Sequence, residues 1–215
     1  MAEQSVQTIC VVLSEHLTNH YSGPLARGAA HAAAYFGCRL LLYSPLHIFL
    51  DRRPLGLADF PLLTPRADAY VIPGFVDDEM IGYCRQRGAA LLTYADRRAG
   101  VPAIGPNNRE GARMVTAHLI NQGRRRIVHL RGQEDSIEAD ERLQGYRDAL
   151  DAAGLPFDPL LVCVGAFRAY EAELAIDRLL AEEIKFDEIF AANDISARGA
   201  LTSLERAGLH VPQDI

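Results

Sequence analysis

Apolar positions along the chain fall into two rhythms that take turns. Short β-branched or leucine-rich runs read as buried strands: Thr8 to Leu13, Arg39 to Tyr43, Asp68 to Ile72, Ala89 to Tyr94, Arg126 to Leu130, Leu160 to Val164 and Glu188 to Ala192. Between them lie stretches with helical spacing. Pro24 opens one whose inward face is Leu25, Gly28, Ala29, Ala32, Ala33 and Phe36, and Gly37 stops it. Asp77 or Asp78 caps the next, which reaches Arg87 and closes at Gly88. Asn108 is an N-cap for a third, with Ala112, Val115, Thr116 and Leu119 inward and Gly123 as its left-handed end. Arg131-Gly132 turns the chain into a fourth, carrying Ala139, Leu143, Tyr146 and Leu150. Two more follow, one from about Ala169 to Ala181 and one running to Ala207. His47 to Pro65 shows no clear period, broken by Arg52-Arg53-Pro54, Pro61 and Pro65, and Gly100 to Pro106 reads as a short crossover. Strands alternating with helices predict parallel α/β sheets, in two βαβ series divided near residues 100–107.

Several blocks inside this pattern carry a resemblance. Asn107-Asn108 followed by Gly111-Ala112, then His118-Leu119, Gly123 with Arg126-Ile127, and Arg142 with Gly145-Tyr146 appear in one order. Asn193-Asp194 through Gly199-Ala200-Leu201 and the closing Gly208-Leu209, Val211-Pro212 and Asp214-Ile215 continue it. The chain resembles the effector-binding domain of the LacI/GalR family, whose fold is shared with periplasmic sugar-binding proteins. That resemblance implies two Rossmann-like (flavodoxin-like) lobes of periplasmic-binding-protein type I, with residues 1–105 forming the N-terminal lobe and 106–215 the C-terminal lobe. It implies a small-molecule cleft between the lobes, and pairing into a homodimer. Measured against the family, the lobes are expected to be truncated at the C-terminus. The seven residues before the first strand leave no room for a DNA-reading helix-turn-helix. DNA contact is therefore expected from elsewhere in a full-length regulator, not from this chain.

Composition narrows the classes. About half of the 215 residues are apolar, enough for a sizeable core, and the net charge of −6 argues against a stand-alone nucleic-acid binder. Cys10, Cys38, Cys84 and Cys163 are widely spaced without a C-x-x-C pair, so free buried thiols of a reducing cytosol are expected. No signal peptide and no apolar run of membrane-spanning length is visible, which predicts a cytoplasmic protein without membrane contact. Phosphate-loop, dinucleotide, nucleophile-elbow and zinc-protease signatures are absent, so neither an enzyme nor a cofactor is expected.

Ligands of open α/β sheets sit beyond the carboxyl ends of strands. That rule nominates Ser14, Glu15, Ser44, Gly74, Tyr94, Asp96, Gln133, Phe167, Asn193 and Asp194. The resemblance selects among them the first loop, the N-D pair and Phe167 as an aromatic platform, and it adds Arg142. Arg142 offers a fixed fork of donors suited to carboxylates or paired hydroxyls, the alternative being a surface ion pair with Glu138 or Asp140. Asp194 doubles as an expected N-cap for a helix beginning at Ile195, which leaves Asn193 as the better ligand contact. Tyr21 joins Ser14 and Glu15 on the first loop. His16 and His20 have the spacing of a metal pair on a helix but no third ligand, so no metal is expected. Arg124-Arg125-Arg126 reads as a solvated charge run. Two outputs fit such a sensor: a LacI-type regulator with a sugar-like effector, or the input module of a signalling protein carrying a diguanylate cyclase or kinase. An enzyme on the doubly wound scaffold is the third class.

Overall fold

A computed structural model of the chain describes residues 6–13, 21–44, 67–73, 76–94 and 100–215. The chain divides into two compact units, Met1–Gly105 and Pro106–Ile215. The first holds β1 (Thr8–Val12), α1 (Ser22–Phe36), β2 (Arg39–Tyr43), β3 (Ala69–Pro73), α2 (Asp78–Arg87), β4 (Ala90–Tyr94) and β5 (Ala103–Ile104). Its strands run parallel in the order β2-β1-β3-β4-β5. The sheet is covered on both faces, which is why its strands read as continuous apolar runs. Cys10 and Val12 pack with Tyr70, Ile72, Met80 and Cys84, while Val11 and Leu13 pack with Ala26. The stretch expected to be a plain crossover contains β5. Pro102 has no N–H to give, but its carbonyl accepts from Thr93 N at 2.9 Å, holding the chain extended beside β4.

Helix ends follow the local chemistry. Asp77 caps α2, accepting from Met80 N at 2.8 Å, and Gly37 and Gly88 close α1 and α2 with φ of 66°. The inward face of α1 differs from the expected one. Ser22, Gly23, Ala26 and Ala33 are buried, whereas Phe36 is 74% exposed and meets Tyr35 edge-on at 4.9 Å. An alanine-rich helix offers several equivalent stripes, and the smallest side chains won the close approach to the sheet.

The second unit holds α3 (Asn108–Asn121), β6 (Ile127–Arg131), α4 (Ile137–Ala152), β7 (Val162–Val164), α5 (Ala169–Ala181), β8 (Glu188–Ala191) and α6 (Asp194–Arg206), with parallel order β7-β6-β8. β7 is shorter than expected. Asp158 accepts from Leu160 N at 3.0 Å and winds Pro159–Leu161 into a 3-10 turn. Val128 and Leu130 of the central strand pack with Leu161, Ala172, Ile176, Leu179, Ala200 and Leu204. Ile127 points the other way, to Ile120, Tyr146, Ala149 and Leu150.

Two motif glycines have their cause in helix crossings. A Cβ on Gly145 would lie 2.0 Å from the Arg109 carbonyl oxygen, and one on Gly199 would lie 2.1 Å from that of Ala169. Only a residue without a side chain lets α3 cross α4, and α5 cross α6, at that distance, despite a helix-propensity cost of about 1 kcal/mol each. The arginine triplet is solvated at Arg125 and Arg126, as expected, and it is also bonded to its surroundings. Arg124 pairs with Glu188 at 3.3 Å, Arg126 pairs with Asp158 at 3.1 Å, and Asp187 accepts from the N–H groups of Arg125 and Arg126 at 2.7 and 3.0 Å. Together they pin the start of β6. Among the described residues all four cysteines are free.

Candidate functional site

The polar residues of the second unit gather at the carboxyl ends of its strands. Arg142, on α4, donates from Nε to Asn108 Oδ1 at 2.9 Å and from Nη1 to the Ala192 carbonyl at 2.7 Å. Its guanidinium carbon lies 5.6 Å from the centre of the Phe167 ring. The alternative of an ion pair with Asp140 is not what forms, since Asp140 accepts from Arg131 at 2.7 Å. Both acceptors of Arg142 are neutral, and three of its five N–H groups make no hydrogen bond among the described residues.

Phe167 is held from three directions. Its backbone and that of Ala166 are left-handed, with φ of 60° and 49°, a conformation that non-glycine residues adopt only under constraint. Its carbonyl accepts from Asn193 Nδ2 at 3.2 Å. Its ring occupies the space a side chain at Gly132 would need, a Cβ there falling 2.0 Å from the ring. Glycine at 132 is thus what lets the aromatic seat.

Asn193 works in two directions, because its Oδ1 also accepts from Ser196 N at 2.8 Å and caps α6. This corrects the expected cap at Asp194. The N-cap needs extended backbone, which Asn193 has with φ −154° and ψ 169°, and Asp194 is the first helical residue. The Asp194 carboxylate lies exposed in the first turn, where the helix dipole favours a negative charge. The same one-residue shift occurs at α3. Asn107, not Asn108, is the cap, accepting from Glu110 N at 3.2 Å. Asn108 is the first helical residue, buried, with its side chain turned to Arg142 and Glu141. The sequence reading missed Asn108 as a partner of Arg142. The available signal was the tandem asparagine, since one helix start needs only one cap.

Gln133 is half-buried in the loop after β6, its carbonyl accepting from Ser136 N at 3.3 Å. In the first unit Tyr94 is buried and donates its hydroxyl to the Val12 carbonyl at 2.9 Å, with its ring 6.4 Å from that of Tyr21. Those two candidates are therefore neighbours. Ser14, Glu15 and Gly74 lie outside the described residues, as do Asp96 and the His16–His20 pair.

Beneath the site lies His129, which the sequence reading did not single out. It is fully buried on β6 and stacked between Tyr146 and Phe190, with ring centres 5.3 and 4.7 Å away. Nδ1 lies 3.3 Å from the Phe190 carbonyl, an acceptor only, so Nδ1 carries the proton, and the buried Nε2 has no hydrogen-bond partner among the described residues. Burial pushes its pKa down to about 4, and the positive charges of Arg131 and Arg142 push the same way. Among the described residues no histidine, cysteine and carboxylate cluster could hold a metal ion. No helix among them is long and apolar enough to cross a membrane.

Parallel α/β units with polar side chains collected at strand carboxyl ends are the arrangement in which doubly wound proteins bind their ligands. The model of the family described as periplasmic binding proteins and sugar binding domain of LacI family matches residues 6–215, and the chain belongs to that family. The regulator CelR of Thermobifida fusca is 39% identical over 127 residues, covering 57% of this chain and 37% of CelR. The regulator AscG of Escherichia coli is 29% identical over 221 residues, covering 100% of this chain and 65% of AscG. Among solved structures, a CelR–cellobiose complex superposes with a TM-score of 0.80 at 29% identity, covering 96% of this chain and 65% of that one. A sugar-binding LacI-family regulator of Escherichia coli complexed with phosphate gives 0.78 at 28% identity, covering 98% and 77%. The chain thus spans between 37% and 65% of the length of the two curated relatives.

Proposed function

We propose that the chain is the effector-sensing part of a bacterial LacI-type transcriptional regulator, cytoplasmic and without catalysis of its own. A sugar-like polar molecule is held on the second unit by Arg142, Phe167, Asn193 and Asp194, with Gln133 at the margin. One observation carries the reading: Arg142 is fixed by two neutral acceptors, and its other three N–H groups make no hydrogen bond among the described residues. Phe167 beside it offers a ring face for the apolar side of a sugar, and the Asp194 carboxylate offers acceptors for hydroxyls. The CelR–cellobiose complex supports a sugar as first choice. A ligand acts by population shift, favouring whichever state it binds better, with about 1–3 kcal/mol of coupling to an output. The protein works as a homodimer, and the exposed ring pair of Tyr35 and Phe36 supports a contact there.

Thermal shift against cellobiose, galactose, ribose, a sugar phosphate and a purine tests the reading. At least one sugar is expected to raise the Tm, and Arg142→Ala is expected to weaken that ligand tenfold or more, about 1.4 kcal/mol. Silence across the sugars, or full affinity in Arg142→Ala, contradicts it.

A further inference from the structure

We infer that Asn108 is a positioning residue of this site: its buried amide fixes the plane of the Arg142 guanidinium and affects ligand affinity only through Arg142. The inference rests on the effector reading above and adds to it a residue that makes no ligand contact of its own.

Asn108 has no structural duty that explains an asparagine. The cap of α3 is already supplied by Asn107, and the next buried positions along the same helix, Ala112, Thr116 and Ile120, are filled for packing. A buried amide without partners would be destabilising, so its two bonds define what it does. Oδ1 accepts from Arg142 Nε at 2.9 Å, and Nδ2 donates to Glu141 Oε2 at 3.3 Å. These partners set the orientation of the amide: flipped, its NH2 group would meet the Nε–H donor, and its oxygen would meet a carboxylate oxygen. Glu141 thus orients Asn108, and Asn108 orients Arg142.

The second anchor, from Nη1 to the Ala192 carbonyl, holds a different nitrogen of the same planar group. Two bonds to two nitrogens fix a plane that a single bond would leave free to rotate. The N–H groups left on Nη1 and Nη2 are then presented in one geometry before any ligand arrives, and a rigid fork loses less freedom on binding than a mobile one. Because the Nε acceptor is an amide and not a carboxylate, no anion bonded at Nε offsets the charge of the guanidinium.

The test uses the full 215-residue chain. In nitrogen-15-labelled protein the Arg142 Nε–H resonance is identified by its loss in Arg142→Ala. Asn108→Ala is expected to speed its exchange with water at least tenfold. Asn108→Asp combined with Glu141→Gln, which restores an acceptor and a donor, returns the exchange to within threefold of wild type. Unchanged exchange in Asn108→Ala overturns the inference. Cellobiose titration supplies the second arm. Asn108→Ala is expected to weaken binding about tenfold in the wild-type background and less than twofold in the Arg142→Ala background. An equal loss in both backgrounds means that Asn108 acts on the fold at large, and overturns the inference. Wild-type protein indifferent to cellobiose moves this arm to the panel sugar with the largest thermal shift, silence across the panel counts against the sugar reading, and the exchange arm, which needs no sugar, still decides the link between Asn108 and Arg142.

Discussion

The two faces of the β7-β6-β8 sheet are built from opposite materials. On one, Val128 and Leu130 meet Ile176, Leu179, Ala200 and Leu204 in a cluster made of carbon. The other begins the same way at Ile127, with Tyr146 and Leu150, but two residues further along the strand comes His129, and two further Arg131. Arg142 belongs to the polar end, its charge bearing on His129 as that of Arg131 does, and Asn108 is bonded to it. The difference shows what a covered face must supply before it can carry polarity. Tyr146 donates to the Ile127 carbonyl at 2.9 Å, His129 to that of Phe190 at 3.3 Å, and Arg142 to that of Ala192 at 2.7 Å. Carbonyls on the strands or just beyond them take up the donors, and polarity rises toward the carboxyl end.

Substitutions sharpen this contrast in order of size. The largest effect belongs to the carbon face. Ile176→Ala is expected to cost about 2–5 kcal/mol in urea unfolding, through lost burial and the cavity left behind, while the affinity of any sugar for the folded protein stays within twofold. Next comes the polar face. Folded His129 titrates at about 4, below its ordinary 6.5. Near pH 7 both states are neutral and stability is full. As pH falls from about 6.5 toward 4, only the unfolded chain takes up the proton, so stability drops by an amount on the order of 3 kcal/mol, then levels off. Unfolding measured across that window in wild type and His129→Phe checks this: the variant is expected to lose the slope, whatever its absolute stability. A slope unchanged in His129→Phe would assign it to other groups. The smallest effect separates the two bonds of Asn193. Asn193→Ala loses the α6 cap and the Phe167 tether and is expected to cost about 1–2 kcal/mol. Asn193→Asp keeps the cap and loses the donor, so it is expected to fall between the two in stability while weakening sugar affinity as much as the alanine variant.

Much of this architecture was readable from residue order. Strands that are apolar on both sides, separated by helices ending at Gly37, Gly88 and Gly123, left little choice but parallel α/β units, and the structure has left-handed backbone at all three glycines. The site was half-readable. Arg142, Phe167 and Asn193 were named and are brought together. The errors were of one residue: caps at Asn107 and Asn193 were placed on Asn108 and Asp194. Either member of an Asn-Asn or Asn-Asp pair can cap in sequence terms, and only the backbone angle decides. Packing contacts across distant segments were the least legible. Nothing in the local pattern around Gly132 announces that the Phe167 ring will lie against it, since 35 residues separate them. Tyr94 shows the same limit, because its hydroxyl turns to a carbonyl 82 residues away.

A crystal structure of the chain soaked with the sugar that gives the largest thermal shift tests the central claim most directly. The account predicts a sugar hydroxyl about 3 Å from Arg142 Nη1 or Nη2, with the Asn108 and Ala192 contacts of the guanidinium retained and the ring of Phe167 against the sugar. A sugar bound with no atom in reach of Arg142, or an Arg142 side chain pulled away from Asn108 to meet it, would contradict the account.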